Sequence, residues 1–195
     1  MNVCVFCSSS NAVDKIYFDQ SEELGALIAR SGHTLVYGGA NVGLMEHIAQ
    51  ASKKNMGKIT GIIPEKIHGK LLGSTHPDEL IITPTMDARK NKMRELSDAF
   101  IALPGGFGTL EEILEVITLK QLDYHRKAIV FINTNKFFDM LFLQFEKSFE
   151  EKFAKENYRT LYKIVNNATE AIEYIQNYEE STHQDKWFIV PEKEE

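Results

Sequence analysis

The chain has 195 residues, 43% hydrophobic and 26% charged. That is the composition of one globular domain with enough length to bury a core. Acidic residues outnumber basic ones 28 to 22, a net charge of −6, which argues against general binding of nucleic acid. No apolar run approaches the ~20 residues of a membrane helix, so no membrane span is expected.

The opening residues Met1-Asn2-Val3-Cys4-Val5 have no basic leader region and no cleavage site, so they are expected to begin the first strand, at 2–6. Residues 17–30 follow as a helix with Phe18, Leu24, Leu27 and Ile28 as its buried stripe, closed by Gly32. A strand at 34–37, a Gly38-Gly39 turn and a helix at 42–54 come next. A third strand at 59–63 stops at Pro64. A fourth strand at 80–83 leads to a helix at 86–96, and a fifth at 100–103 to a helix at 110–122. A sixth strand at 128–132, a helix at 137–149, a short strand at 163–165 and a helix at 169–178 complete the order. Strand–helix alternation of this kind predicts an α/β fold, a Rossmann-like doubly wound parallel sheet with helices on both faces. Residues 1–178 are expected to form one domain. Residues 179–195 form a charged tail in which Trp187-Phe188-Ile189-Val190 is expected to dock on a surface.

Cys4 and Cys7 make a C-x-x-C pair, but positions three apart on a strand face opposite sides of the sheet. A redox pair of that spacing sits at a helix start instead. Two free thiols suit a reducing, cytoplasmic setting. The six histidines show no metal-ligand spacing, and no metal site is assigned.

In such sheets ligands bind beyond the carboxyl ends of the strands. Three loops fall there: Ser8-Ser9-Ser10, the glycine-rich stretch 38–43, and Pro104-Gly105-Gly106-Phe107-Gly108-Thr109. The last carries three glycines between a buried strand and a helix start, where free N–H groups favour an anion. It is not a Walker A loop, because no glycine here is followed by Lys-Ser or Lys-Thr. It also fails the dinucleotide fingerprint, since Glu111 stands where the third glycine belongs. A monophosphate fits it better than a dinucleotide.

Glu112 has two readings. Thr109-Leu110-Glu111-Glu112 fits a capping box, with Glu112 reaching back to the helix start. Alternatively, Glu112 with Glu115 and Thr118 forms a polar stripe beside the glycine loop, which points to a site. Arg89 and Lys90 could be a solvated basic face, or a clamp for phosphate or carboxylate at the ligand edge. No G-x-S-x-G elbow supports a serine hydrolase.

Together these residues resemble the LOG ("lonely guy") family, phosphoribohydrolases that activate cytokinins and were formerly described as lysine decarboxylases. The family pattern P-G-G-x-G-T-x-x-E stands here as residues Pro104 to Glu112, and M-x-x-R-K stands as Met86-Asp87-Ala88-Arg89-Lys90. The similarity covers residues 1–178. It includes Tyr37-Gly38-Gly39, Gly43-Leu44-Met45 and the strand-one serines. Three positions depart from the family: Ala40 and Glu46 stand where glycines are frequent, and Leu119 where a tryptophan is.

The resemblance implies hydrolysis of the N-glycosidic bond of a nucleoside 5′-monophosphate to a free base and ribose 5-phosphate, with no metal or redox cofactor. It implies catalytic roles for Arg89 and Glu112. Substrate contacts are implied for Ser8, Ser9, Gly38, Gly39, Met45, Met86 and Lys90. In the glycine loop and its helix they are implied for Pro104, Gly105, Gly106, Phe107, Gly108, Thr109, Leu110, Glu111, Glu115 and Thr118. It also implies a homodimer with sites near the interface, to which Met86, Met93, Leu96, Leu119 and Leu122 could contribute if they are not core. Two rival readings stand beside it: a nucleotide-binding module without turnover, and a pyridoxal-phosphate-dependent decarboxylase, for which no specific lysine motif is present.

Overall fold

A computed structural model describes residues 1–180. Seven strands, β1 (Asn2–Phe6), β2 (Thr34–Tyr37), β3 (Lys58–Pro64), β4 (Glu79–Thr83), β5 (Ala99–Ala102), β6 (Ala128–Ile132) and β7 (Lys163–Val165), form one sheet. Every pairing is parallel, in the order β4-β3-β2-β1-β5-β6-β7. The chain winds outward from β1 to β4 and then returns to β1's other side as β5. This puts the change of winding direction between β1 and β5, where open α/β sheets bind ligands.

Alternation along each strand builds two core layers. Val3, Val5 and Cys7 point to one face, with Leu35, Tyr37, Ile101 and Val130. Helices α1 (Lys15–Arg30), α2 (Gly43–Lys54) and α7 (Ala168–Gln176) cover that face with Leu24, Ile28, Leu44, Ile48 and Ile172. Cys4 and Phe6 point to the other face, with Phe100, Ile129 and Phe131. There α4 (Met86–Leu96), α5 (Phe107–Gln121) and α6 (Asp139–Glu150) supply Met93, Ile113, Val116 and Phe142. The central strands are apolar throughout because both faces are covered. Cys4 and Cys7 are free, buried and in opposite layers. Among the described residues no helix is long and apolar enough to cross a membrane. The apolar run at 187–190 lies outside the described residues.

All seven predicted strands and six predicted helices are present; β1, β2, α4, β6 and β7 have the predicted ends, and the others are shifted by a few residues. Helix α1 begins at Lys15 rather than Tyr17, and closes in a turn where Gly32 N–H donates to Ala29 and His33 N–H to Ile28. Strand β3 runs through Pro64, which pairs with Thr83 at the sheet margin. The predicted helix at 137–149 is α6, which starts two residues later at Asp139 and follows a short 3₁₀ turn at Thr134–Lys136. Two pieces were not predicted. One is α3 (Glu65–Ile67), which runs into a π-helical turn, His68–Leu72; the other is a 3₁₀ stretch at Glu156–Leu161. Of the apolar residues proposed for an interface, Met93 is wholly buried and Leu96 packs against the same core layer. Met86 and Leu122 are exposed.

Candidate active site

Helix α5 starts at Phe107, three residues before the predicted Leu110. Gly106 is its N-cap and makes no side-chain cap, so the capping-box reading of Thr109 and Glu112 does not hold. Thr109 is the helix's third residue. The N–H groups of its first turn, at Phe107, Gly108 and Thr109, have no intrahelical acceptor. Glu112 stands one turn further on, free to serve something other than its own backbone.

Its partner is Arg89. The guanidinium Nη1 donates to Glu112 Oε1 across 23 residues of sequence, and only 10% and 12% of the two side chains is exposed. Arg89 Nε donates to the Ile62 carbonyl at 3.1 Å, and Nη1 also lies 3.5 Å from Met86 Sδ. Helix α4 is capped by Thr85, whose hydroxyl accepts from Ala88 N–H at 3.1 Å, and this sets the turn that carries Arg89. Gly38 makes the room: a Cβ there would collide with Arg89 Nη2 and Met45 Sδ. Burial raises the Glu112 carboxyl above its ordinary value of 4.5, and the Arg89 charge and hydrogen bond oppose that rise. Burial, reinforced by the Glu112 charge, likewise raises the thiols of Cys4 and Cys7 and keeps them neutral.

These groups line a cleft of about 570 Å³ at the carboxyl edge of the sheet. Ser8, Ser9 and Ser10 form one wall after β1, and Gly38, Ala40 and Met45 another after β2. Phe107, Gly108, Thr109 and Glu111 close it on the β5 side, with Met86, Arg89 and Glu112 across the middle. The loop after β1 is tied to the start of α2: Leu44 N–H donates to the Ser8 carbonyl at 3.0 Å, and Gly43 N–H to Asn11 Oδ1 at 2.8 Å. Gly43 has φ +57, and a Cβ would strike the Ser9 and Ser8 backbone, so only glycine fits. Gly106 and Gly108 differ, because a Cβ on either would meet nothing within 4 Å. Nothing in the chain itself requires glycine there, and the space in front of the free N–H groups suits an incoming anion.

Several residues expected to touch substrate do not line the cleft. Gly39 lies behind Gly38, near the Ile62 backbone and Leu80. Pro104 and Gly105 are buried under the loop, where a Cβ on Gly105 would collide with Thr109 Oγ1. Leu110 packs against the core. Lys90 pairs with Glu111 and sits 3.4 Å from Glu115, which also accepts from Arg94 at 2.6 Å. Thr118 donates to its own helix, at the Leu114 carbonyl. The expected polar stripe is therefore an ion-pair network joining α4 and α5 behind the cleft. Conversely, Cys7 and Ile67 line the cleft without having been predicted, and Ala40 lines it as part of the predicted 38–43 loop though it was not named as a substrate contact. Ile67 carried no sequence signal, since it lies on the unpredicted α3. Among the described residues, no lysine lines the cleft.

A family described as "Possible lysine decarboxylase" matches residues 45–175, most of the α/β unit just described. The cytokinin riboside 5′-monophosphate phosphoribohydrolase LOG2 of Arabidopsis thaliana is 37% identical over 90% of this chain and 83% of its own length. The chain belongs to the LOG family. The Arabidopsis thaliana relative LOG5, with the same enzyme name, is 36% identical over 90% of this chain and 77% of its own. Among solved structures, the molybdenum cofactor binding protein of Rippkaea orientalis shares the fold. Its TM-score is 0.70 and its identity 29%, over 90% of this chain and 94% of that one. Within the LOG family frame, Arg89, Glu112 and the Gly105–Thr109 loop are the parts of this chain that carry the two family patterns.

Proposed function

We propose that this protein hydrolyses the N-glycosidic bond of a nucleoside 5′-monophosphate, releasing a free base and ribose 5-phosphate. The observation that carries the reading is the buried Arg89–Glu112 pair beside the uncapped, glycine-lined start of α5. In this reading the 5′-phosphate sits on the N–H groups of Phe107, Gly108 and Thr109, and this fixes the sugar over Glu112. As the C1′–N bond breaks, its electron pair leaves with the base and positive charge builds on the sugar. The Glu112 carboxylate stabilises that charge and takes a proton from the attacking water, whose oxygen bonds to C1′. Arg89 holds Glu112 in place and steadies the negative charge on the departing base; the proton that Glu112 took from the water passes to that base through solvent, so the sum is the addition of one water.

The LOG relatives named as phosphoribohydrolases support this reaction class. A pyridoxal-phosphate decarboxylase would need an amine in the cleft. The lysine next to Arg89 in sequence, Lys90, is instead engaged by Glu111 and Glu115. The rival favoured by the Rippkaea orientalis neighbour is a binding module without turnover. One assay separates the readings: incubation with AMP and with N6-isopentenyl-AMP, followed by chromatography for free base and ribose 5-phosphate. Release of both products supports hydrolysis; tight binding with no base released supports the module.

The same reading includes a homodimer in the cytoplasm. Phe107 and Met86 stand exposed at the cleft rim, with Leu122 and Tyr124 exposed at the far end of α5. Those are apolar surfaces that a second copy would cover. Sedimentation at falling concentration, with activity measured in parallel, tests it; a fully active monomer would remove the dimer from the proposal.

A further inference from the structure

A polar cluster between β3 and β4 takes no part in the reaction above. After Pro64 the chain passes through α3 and the π-helical turn, then doubles back across the loop between β2 and α2. Gly73 pairs antiparallel with Ala40. Asn41 N–H donates to the Leu72 carbonyl at 2.9 Å, and Ser74 N–H to the Gly39 carbonyl at 2.8 Å. His76 Nε2 then meets Glu46 Oε1 at 2.7 Å, while the buried Ser74 hydroxyl donates to Glu46 Oε2 at 3.4 Å. His76 N–H closes the cluster on Ser74 Oγ at 3.3 Å.

Backbone bonds at Asn41, Gly73 and Ser74 hold one end of the strap to the β2–α2 loop, and the side-chain cluster adds the polar contacts beside them. Helix α3 buries none of its three residues, so apolar burial supplies little of the force that docks it. Both carboxylate oxygens of Glu46 are used, on partners 28 and 30 residues away. A carboxylate in the first turn of α2 is already favoured by the helix dipole and requires neither partner. The bonds therefore serve the strap. The strap in turn serves the cleft: Ile67 lines it, as do Ala40 and Met45, at and beside the clamped positions. All three lie on the β2–β3 side of the winding change. The glycines of α5 lie on the β5 side, so with phosphate at α5 the base extends toward Ile67 and Met45.

We propose that Glu46, Ser74 and His76 are positioning residues that clamp the strap, set the width of the base end between Ile67 and Met45, and so decide which base substituents the site accepts. The inference rests on the nucleotide-hydrolase reading.

The test compares His76→Ala, His76→Gln and the milder Ser74→Ala with wild type, using AMP and N6-benzyladenosine 5′-monophosphate. His76→Ala is expected to raise KM for AMP about tenfold with kcat within about twofold, the pattern of lost binding rather than lost chemistry. It is expected to shift the kcat/KM ratio by about fivefold toward the bulkier nucleotide. Inhibition by ribose 5-phosphate, which engages only the sugar and phosphate end, should stay unchanged. His76→Gln, whose amide can still donate to Glu46, should restore most of the wild-type ratio, and Ser74→Ala should move it in the same direction as His76→Ala. An unchanged ratio in both alanine variants, or a parallel shift in ribose 5-phosphate inhibition, would overturn the clamp. A wild-type protein that cleaves neither nucleotide would overturn the hydrolase reading, and the clamp with it.

Discussion

Arg89 on α4 and Glu112 on α5 close a nearly buried ion pair directly beneath the glycine-lined start of α5. A buried pair of this kind loses much of its Coulomb attraction to desolvation, and apolar residues of similar size would hold the two helices at least as well. The pair is better explained by what it offers a ligand: a fixed carboxylate, oriented by a fork that is itself tied to the Ile62 carbonyl.

Replacing Glu112 by Gln should lower turnover by about 10²-fold or more, the scale of losing a general base or electrostatic stabiliser. The amide can still accept from Arg89, so the melting temperature should stay within about 4 °C of wild type. The charge has a pH consequence. Burial places the Glu112 pKa above 4.5, so the native state holds that proton more tightly than the unfolded chain. Wild-type kcat/KM should therefore rise with pH through that raised value, while the folded state loses stability across the same window. The Gln variant should show neither trend. Retained activity with a lowered melting temperature would make Glu112 a structural residue only.

Arg89→Lys keeps the charge but not the planar fork that spans Ile62 and Glu112, and should cost about 10²-fold in kcat/KM, with Arg89→Ala worse. Gly38→Ala should reproduce much of the defect without touching either residue, because its methyl group would occupy the space of the Arg89 guanidinium. A Gly38→Ala enzyme with normal kinetics would show that the position of the guanidinium is not critical.

Gly108→Ala separates stability from binding. The methyl group enters open space on a helix, so the fold should gain a few tenths to about 1 kcal/mol from helix propensity. The same methyl group stands in the anion position, and KM for AMP should rise about tenfold or more. Adenosine, which has no phosphate to place there, should be a poor substrate for wild type and nearly indifferent to the substitution. Steady-state kinetics with both substrates, together with urea melts, would check this; equal kcat/KM for adenosine and AMP would refute the phosphate site.

Lys120 is 1% exposed on α5, and its Nζ donates to the Tyr178 hydroxyl at 2.9 Å. Burial lowers its pKa from 10.5 to about 8, with Glu180 opposing the shift. Below pH 8 both states carry the charge, and the native state bears the cost of burying it. Between pH 8 and 10.5 the native state releases the proton first, so wild-type stability should rise with pH in that window. Lys120→Met, which removes the buried charge at similar volume, should stabilise the protein at pH 7 by about 2 kcal/mol, a gain that shrinks toward pH 10.5. Urea denaturation at pH 7 and pH 10 measures both; a gain that does not change with pH would locate the effect in packing.

Strands β1 and β6 and the glycine-loop motif were legible in the sequence because they depend on local rules: apolar runs bounded by turns, and glycines where a backbone must come close to something. Even there the start of α5 was misplaced by three residues. A glycine N-cap has no side-chain signature, whereas Thr109 and Glu112 imitate a capping box. The α/β class and the separation of Cys4 from Cys7 likewise follow from periodicity alone. Other features depend on strand order, which sequence order does not determine. Arg89 follows an edge strand and Glu112 follows a central one, and they meet only because β5 inserts beside β1 while α4 crosses beneath the sheet. Glu115 and Thr118 share Glu112's side of the helix in the sequence pattern, yet α4 meets Glu115 with Lys90 and Arg94 and keeps it out of the cleft. The strap carrying Ile67 is held by Ala40, Glu46 and their partners about thirty residues away. Local propensity has no term for such bonds, and only the folded chain brings their ends together.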